Sequence, residues 1–302
     1  MAELPAVGQG MDRLLDRLDS FTERLDRAAL VDAVLRYRDM PRDRATLMIE
    51  TYLGEMPTGA RIVAPHLQPG QRILEVGSGI GVLSAFLLSE GFEVLGIEPG
   101  QDGGFSFMTA LCQAVLDQIP ADFRPDILPI GAEALTPAEH GTFDLIFSAN
   151  VLEHIMALDA AIPAMRDVLK PDGLMRHLCP NYRFPYEPHL GVPLLPFAPQ
   201  ATRHLMPGKV AANHEIWSGV NFITAHRIAR LARANGLSIA FDDSVMGAYM
   251  RRLNDDPIFA RRHGGLLGAV ARRPRLVEGL ARLLDAVPSG WASPMTLTLR
   301  HS

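Results

Sequence analysis

The sequence predicts an α/β fold: a doubly wound, seven-stranded, mostly parallel sheet with an N-terminal helical cap and two inserted lid segments. Three observations predict it. From residue 71 onward, short β-rich runs alternate with helical stretches, the order that covers a parallel sheet with helices on both faces. Three alternate glycines, Gly77, Gly79 and Gly81, stand where the first run turns into a helix. Two connections, 180–222 and 246–294, are far longer than ordinary crossovers, and such long connections are usually lids or binding surfaces.

Along the chain, Met11, Leu14, Leu18, Phe21, Leu25 and Ala28 recur every three or four residues among Asp, Arg and Glu, so an amphipathic helix is expected over 11–37. Its apolar stripe either covers an edge of the core or, over about 2.5 heptads, pairs with a second copy, which makes a homodimer through this helix one expectation. A second helical segment, 42–55, ends at Met56-Pro57-Thr58-Gly59. Residues 1–60 then form the cap, and 61–302 the main domain. Strands are expected at Arg72–Val76, Glu93–Ile97, 126–130, 143–148, 174–178, 238–241 and 296–300, the last running antiparallel.

Composition excludes several classes. With 302 residues, 48% hydrophobic and 21% charged, the chain has the makeup of a globular protein rather than a disordered one. A net charge of −5 offers no global positive field for nucleic acid. Cys112 and Cys179 are too few for a disulfide framework, and Met1-Ala2-Glu3-Leu4-Pro5 lacks an export signal, so the cytoplasm is the expected address. No run nears the ~20 apolar residues that span a bilayer. Lys170 and Lys209 are the only lysines, and this Arg-heavy usage fits GC-rich, bacterial coding.

The chemistry starts at Ile73-Leu74-Glu75-Val76-Gly77-Ser78-Gly79-Ile80-Gly81-Val82. Glycines there permit unusual φ and a close approach of ligand to backbone. Seventeen residues beyond Gly81, the run Val94-Leu95-Gly96-Ile97 ends in Glu98, whose carboxylate can accept from both hydroxyls of a ribose. A dinucleotide fingerprint wants a small residue at position 82, where Val82 stands, so an NAD-dependent oxidoreductase fits poorly. Glu75 would repel a pyrophosphate but welcome an α-amino or sulfonium group.

On these residues the chain resembles the class I S-adenosylmethionine-dependent methyltransferases, whose first motif is an acid followed by Gly-x-Gly-x-Gly. Phe143-Asp144-Leu145-Ile146-Phe147-Ser148-Ala149-Asn150-Val151-Leu152-Glu153-His154 resembles the family's fourth strand and the helix after it, and Leu169-Lys170-Pro171-Asp172-Gly173-Leu174 its turn into the fifth strand. The resemblance covers residues 71 to 178 and implies a Rossmann-like methyltransferase fold with S-adenosylmethionine as cofactor. It implies that Gly77, Ser78, Gly79 and Gly81 pass beneath the cofactor's methionine part, that Glu75 anchors its amino end, and that Glu98, followed by Pro99, holds the ribose. Where many relatives carry an adenine-binding Asp, this chain has Gly131, so the Ala132 backbone or the Glu133 side chain is expected to substitute. Ser148, Ala149 and Asn150 complete the cofactor set, near where the methyl group emerges.

Methyl transfer to oxygen needs a base, whereas amines often manage without one. Candidates on the acceptor side are His154 and, within Cys179-Pro180-Asn181-Tyr182-Arg183-Phe184-Pro185-Tyr186-Glu187-Pro188-His189, the residues Tyr182, Glu187 and His189. No metal is expected: relatives that hold Mg²⁺ use a Glu-x-x-Glu-His set, and here the first acid is Asn150, which leaves Glu153 and His154 with His177 or His189, one carboxylate where a hard cation prefers several. The apolar 190–199 stretch, and a second lid mixing Leu with Arg251, Arg252, Arg261, Arg262, Arg272, Arg273, Arg275 and Arg282, suit a lipid-linked anion or peripheral membrane contact, or simply solvated helices. The expected activity is methyl transfer to a small-molecule or lipid- or glycan-linked acceptor, at oxygen through a histidine base. The alternatives are an N- or C-methyltransferase of secondary metabolism and a non-catalytic nucleoside-binding module.

Overall fold

The computed structural model describes residues 7–100, 107–243, 245–256, 260 and 265–302. Arg261 and Arg262 lie outside them. Seven strands form one sheet in the order β3-β2-β1-β4-β5-β9-β8: β1 (Arg72–Val76), β2 (Glu93–Ile97), β3 (Asp126–Leu128), β4 (Phe143–Ala149), β5 (Leu169–Cys179), β8 (Leu237–Phe241) and β9 (Met295–His301). β1 pairs in parallel with both β2 and β4, and β2 with β3. The order therefore reverses at β1, and the crevice outside the carboxyl ends of β1 and β4 is the topological switch point where such sheets bind ligands. Asp242 N donates to Thr296 O and Ser302 N to Gly236 O, so β9 runs antiparallel to β8.

The chain divides into two compact units, the first holding residues 1–149, 160–177 and 301, the second 150–159, 178–300 and 302. The first unit does not set a 1–60 cap apart. Its helices α1 (Val7–Glu23), α2 (Arg27–Leu35) and α3 (Arg42–Val63) join α4 (Val82–Ser89) and α5 (Phe107–Leu116) in one core, where Leu30, Val31, Ile49 and Leu53 pack with Ile80, Val82, Phe107 and Leu111. α6 (Pro137–His140) and α7 (Leu158–Asp167) complete the helices up to β5.

The sequence misjudged the helix boundaries in this unit. The expected single helix over 11–37 is two, because the Asp26 carboxylate accepts from Ala28 N and Ala29 N at 2.9 and 3.1 Å and so caps a new start. Leu14, Leu18 and Leu25 are buried inside the unit, so the stripe proposed as a dimer seam is already covered. α3 does not stop at Pro57 but runs through it to Val63, because the turn beyond buries Gly59, Ala60, Ile62 and Val63. A Cβ at Gly59 would lie 2.7 Å from Leu83 Cδ2, so only glycine lets this turn approach α4.

Two strands also differ. β3 ends at Leu128 because Ile130 N turns back to Leu128 O. β5 begins at Leu169 rather than 174, held beside β4 by Phe143 N to Val168 O and by Lys170 Nζ on Asp144 Oδ2 at 2.8 Å.

In the second unit, the 180–222 connection is not an open loop. It carries a two-strand hairpin, β6 (Tyr186–Glu187) and β7 (Val192–Pro193), and short helices α8 (Thr202–Leu205), α9 (Pro207–Ala211) and α10 (His214–Ser218). After it come α11 (Ala225–Ala234) and, within 246–294, α12 (Met246–Asp255), α13 (Gly265–Ala271) and α14 (Pro274–Asp285). α14 buries Val277 and Ala281 and exposes Leu276 and Leu283. Arg251 pairs with Glu278 and Asp285 at 2.9 Å, tying α12 to α14. No helix among the described residues is long and apolar enough to cross a membrane.

Candidate active site

In the first unit, the glycine loop leaves β1 with Gly77 N and Ser78 N both donating to Ile97 O at 2.8 and 3.1 Å, which fixes it against the end of β2. The glycines at 79 and 81 serve different ends. Gly79 has φ 55°, and a Cβ there would meet nothing within 4 Å, so the backbone borders open space that a ligand can fill. Gly81 has φ 76°, and a Cβ there would lie 2.7 Å from Ile127 Cδ1 and 3.0 Å from Cys112 Sγ. It allows helix and strand to pack, and its side-chain position points at neighbours rather than ligand.

Glu98 answers the loop directly. Its Oε2 accepts from Gly79 N at 2.9 Å and its Oε1 from Gly100 N at 3.2 Å, so the carboxylate is fixed at the rim of the loop. Pro99 beside it is exposed. Glu75 is buried, its Oε2 accepting from Ser84 Oγ. Burial pushes its pKa up to about 8, against the Ser84 hydrogen bond and with help from the Glu98 charge. In the free protein its ionisation therefore weakens the fold as pH climbs from about 4.5 through about 8. A buried acid in this state is one that a bound cation would ionise. The Ser78 hydroxyl is likewise buried and without a hydrogen-bond partner. These features fit a nucleoside carrying a cationic amino-acid tail.

Ala132 is buried at the start of a short 3₁₀ turn, and Glu133 curls back so that a side chain at Gly131 would overlap both its carboxylate oxygens. The acid thus occupies space that the missing residue's side chain would fill. Ser148 departs from expectation. It is fully buried, and its hydroxyl meets His177 Nδ1 at 2.7 Å, with His177 kept neutral by a pKa lowered to about 3 through burial. Only its backbone is left for a cofactor. Ala149 is half-buried, and Asn150 opens the second unit with φ 58°, a conformation Asn tolerates best after glycine.

The second unit gathers the acceptor-side candidates. His189 Nδ1 lies 2.6 Å from Glu187 Oε1, and His154 Nδ1 lies 2.9 Å from Gly219 O. Against a carboxylate and a carbonyl each Nδ1 must donate, so in the neutral rings Nε2 carries the lone pair. The rings meet edge to face, 5.1 Å between centroids. Glu187 is buried yet also accepts from Leu190 N and His189 N, at 2.6 and 3.2 Å. Burial raises its pKa, but the His189 hydrogen bond and charge with these backbone donors hold it below the usual range. For His189, with 29% of its side chain exposed, burial lowers the pKa and Glu187 more than restores it, leaving it above 6.5.

Tyr182 is placed otherwise than expected for a substrate contact. It is buried, its hydroxyl donates to Glu187 at 3.3 Å, and burial first and the Glu187 charge second drive its pKa far up. It supports the dyad and cannot act as a base.

Two more residues belong here: Glu153, weighed from the sequence only as part of a metal set, and Asn221, which the sequence reading missed. Glu153 is fully buried with neither oxygen hydrogen-bonded, and burial pushes its pKa up. Its Oε1 lies 3.9 Å from His154 Nε2 and 4.0 Å from His189 Nε2, so the three offer ligand atoms within 4.8 Å of one another. Two imidazoles and one carboxylate suit a borderline ion better than the Mg²⁺ weighed from the sequence. Asn221 clamps the 152–155 turn, its Nδ2 donating to Leu152 O and Ile155 O and its N to Glu153 O. A polar residue between Val220 and Phe222 was the signal that could have found it.

Residues 48–240 match a family model described as a methyltransferase domain. An uncharacterised protein of Mycobacterium tuberculosis is 35% identical over 214 residues, 68% of this chain and 71% of that one. The ubiquinone biosynthesis O-methyltransferase of Paraburkholderia xenovorans is 34% identical over 104 residues, 34% of this chain and 42% of that protein, so less than half of that enzyme is spanned. Among solved structures, the cyclopropane synthase MmaA2 from Mycobacterium tuberculosis aligns over 87% of this chain and 86% of that one, at 21% identity and a TM-score of 0.49.

Proposed function

We propose, from the premise that this chain belongs to the methyltransferase-domain family and is an S-adenosylmethionine-dependent enzyme, that it methylates a hydroxyl oxygen of a small-molecule or lipid- or glycan-linked acceptor. The observation that carries the choice of oxygen is the 2.6 Å hydrogen bond from His189 to Glu187. An amine needs no such device, whereas a hydroxyl must lose its proton as the new bond forms. Bound S-adenosylmethionine supplies an electrophilic methyl group on a sulfonium centre. Gly77, Ser78 and Gly79 border its amino-acid part, Glu75 pairs with the ammonium, Glu98 accepts from the ribose hydroxyls, and Glu133 with Ala132 N faces the adenine. His189 Nε2 takes the acceptor's proton while Glu187, ionised and held by four donors, stabilises the imidazolium. His154 and the buried Glu153 bound the same cluster. The segment 180–222, which contains the dyad, is the acceptor-side lid in this reading, and 246–294 the second. Two free, buried cysteines, Cys112 and Cys179, support a reducing, cytoplasmic setting.

The test is transfer of label from S-[methyl-³H]adenosylmethionine to a panel of phenols, carboxylates, amines and activated carbons, with products identified by mass. Label on oxygen is expected, undiminished by EDTA because His189 serves without a metal ion. Transfer to amine nitrogen alone, or loss on chelation and rescue by zinc or manganese, would overturn the base assignment.

A pH effect follows from Glu75. Since its free-state pKa is about 8 and ion pairing favours the charged form, cofactor uptake at pH 7 should release close to one proton. Affinity for S-adenosylhomocysteine should rise from pH 6 to 8. Calorimetry in buffers of different ionisation enthalpy reads this, and no buffer dependence would remove Glu75 from the amino site.

A further inference from the structure

Three non-glycine residues among those described have positive φ: Asn150, Phe197 (64°) and Phe222 (51°). The two phenylalanines line the same cleft, of about 510 Å³, with Ala198, Pro199, Ala201 and Arg203. Neither backbone is left to relax. Phe222 sits between Asn221, tied to the 152–155 turn, and Ile223, whose carbonyl accepts from Tyr182 N at 2.9 Å. Phe197 sits inside a loop closed by Leu195 N on the buried Thr202 hydroxyl at 2.9 Å and by Ala198 N on Leu195 O. Strain so over-determined is found mainly at ligand clamps and active sites. Phe197 is 94% exposed, an aromatic face that no other described residue covers.

One wall of the cleft packs against the residues that hold the base. Phe222 packs edge-on against Tyr182 and Trp217, each with ring centroids 5.2 Å away, and Tyr182 donates to Glu187, which holds His189. Among the described residues its lining has no acid. Arg203 donates to His204 Nε2 at 3.3 Å and meets no carboxylate among the described residues.

Resting on the oxygen-methylation reading, we propose that this cleft binds the acceptor, an amphipathic anion whose apolar body lies between Phe197 and Phe222 and whose carboxylate or phosphate meets Arg203. Apolar rings gain by covering exposed aromatic surface, and an anion on a guanidinium forms charge-assisted bonds.

The probes are 2-naphthoate, 2-naphthyl phosphate and neutral 2-naphthamide, titrated into the full chain and followed by calorimetry and by the emission of Trp217, which touches Phe222. At least one anion should bind about ten-fold more tightly than the amide, and whichever does so identifies the anionic group. Arg203→Gln should bring that ratio near one, and Phe197→Ala should weaken all three probes about five-fold. Both side chains are exposed, so the variants should fold, which circular dichroism checks. Equal affinity of anions and amide, or indifference to both substitutions, would overturn the proposal. His189→Gln should leave probe binding intact. If that variant still transfers methyl groups while anion selectivity holds, the base assignment falls and the cleft stands; if selectivity is absent but transfer depends on His189, only the cleft falls.

Discussion

Replacing His189 by Gln should lower methyl transfer about 10²–10⁴-fold, the usual contribution of a positioned general base, while the affinity for S-adenosylhomocysteine stays unchanged. Glutamine keeps a donor for the Glu187 bond but has no lone pair of imidazole basicity at the position of Nε2. The loss should fall on kcat and not on the KM for the cofactor, because His189 belongs to the unit that lacks the glycine loop. The pH profile adds a signature that a structural role would not produce. The pKa of His189 is raised above 6.5 because Glu187 outweighs the effect of burial, and only the neutral ring is a base, so the rising limb of kcat should lie above the ordinary histidine range. Glu187→Gln removes that charge and should move the limb to lower pH while reducing kcat. A His189→Gln enzyme of normal turnover, or a limb unmoved by Glu187→Gln, would exclude the dyad as the base.

Glu98→Ala should weaken cofactor binding by about 1–3 kcal/mol, the worth of hydrogen bonds to a charged group. The upper half of that range is expected, because the same carboxylate accepts from Gly79 N and Gly100 N and so shapes the loop that borders the ligand. Glu98→Gln, which keeps one acceptor oxygen but loses the charge, should fall between the wild type and alanine. Isothermal titration with S-adenosylhomocysteine measures both. An unchanged dissociation constant for Glu98→Ala would mean that the ribose lies elsewhere.

Much of the first unit was legible because its signals are local. The buried runs of β1 and β2 are apolar segments bounded by glycine, and their limits match the sequence reading. Glu75, the glycine loop and Glu98 converge because β1 and β2 are neighbours, which the order of motifs implies. The helix ends were less legible: Leu25-Asp26-Arg27 keeps the apolar rhythm, so only the capping bonds of Asp26 reveal the break, and Pro57 looks like a terminator until burial of the next turn is known. In the second unit the signals are not local. Glu153 reads as the one carboxylate of a thin metal set until its burial is seen, and Tyr182 as a pocket residue until its hydroxyl is traced to Glu187. Ser148, in the first unit, faces His177 because alternation along β4 sends its side chain into the core. The left-handed backbones of Phe197 and Phe222 leave no mark in the sequence, since phenylalanine has no preference for that region.

Every role assigned above depends on a crevice at the β1–β4 switch point that holds a sulfonium nucleoside and not a dinucleotide. Calorimetry of the full chain against S-adenosylhomocysteine and NAD tests this most directly. One S-adenosylhomocysteine per chain, with no detectable heat from NAD at the same concentration, is the predicted result; saturable uptake of NAD with none of S-adenosylhomocysteine would contradict it.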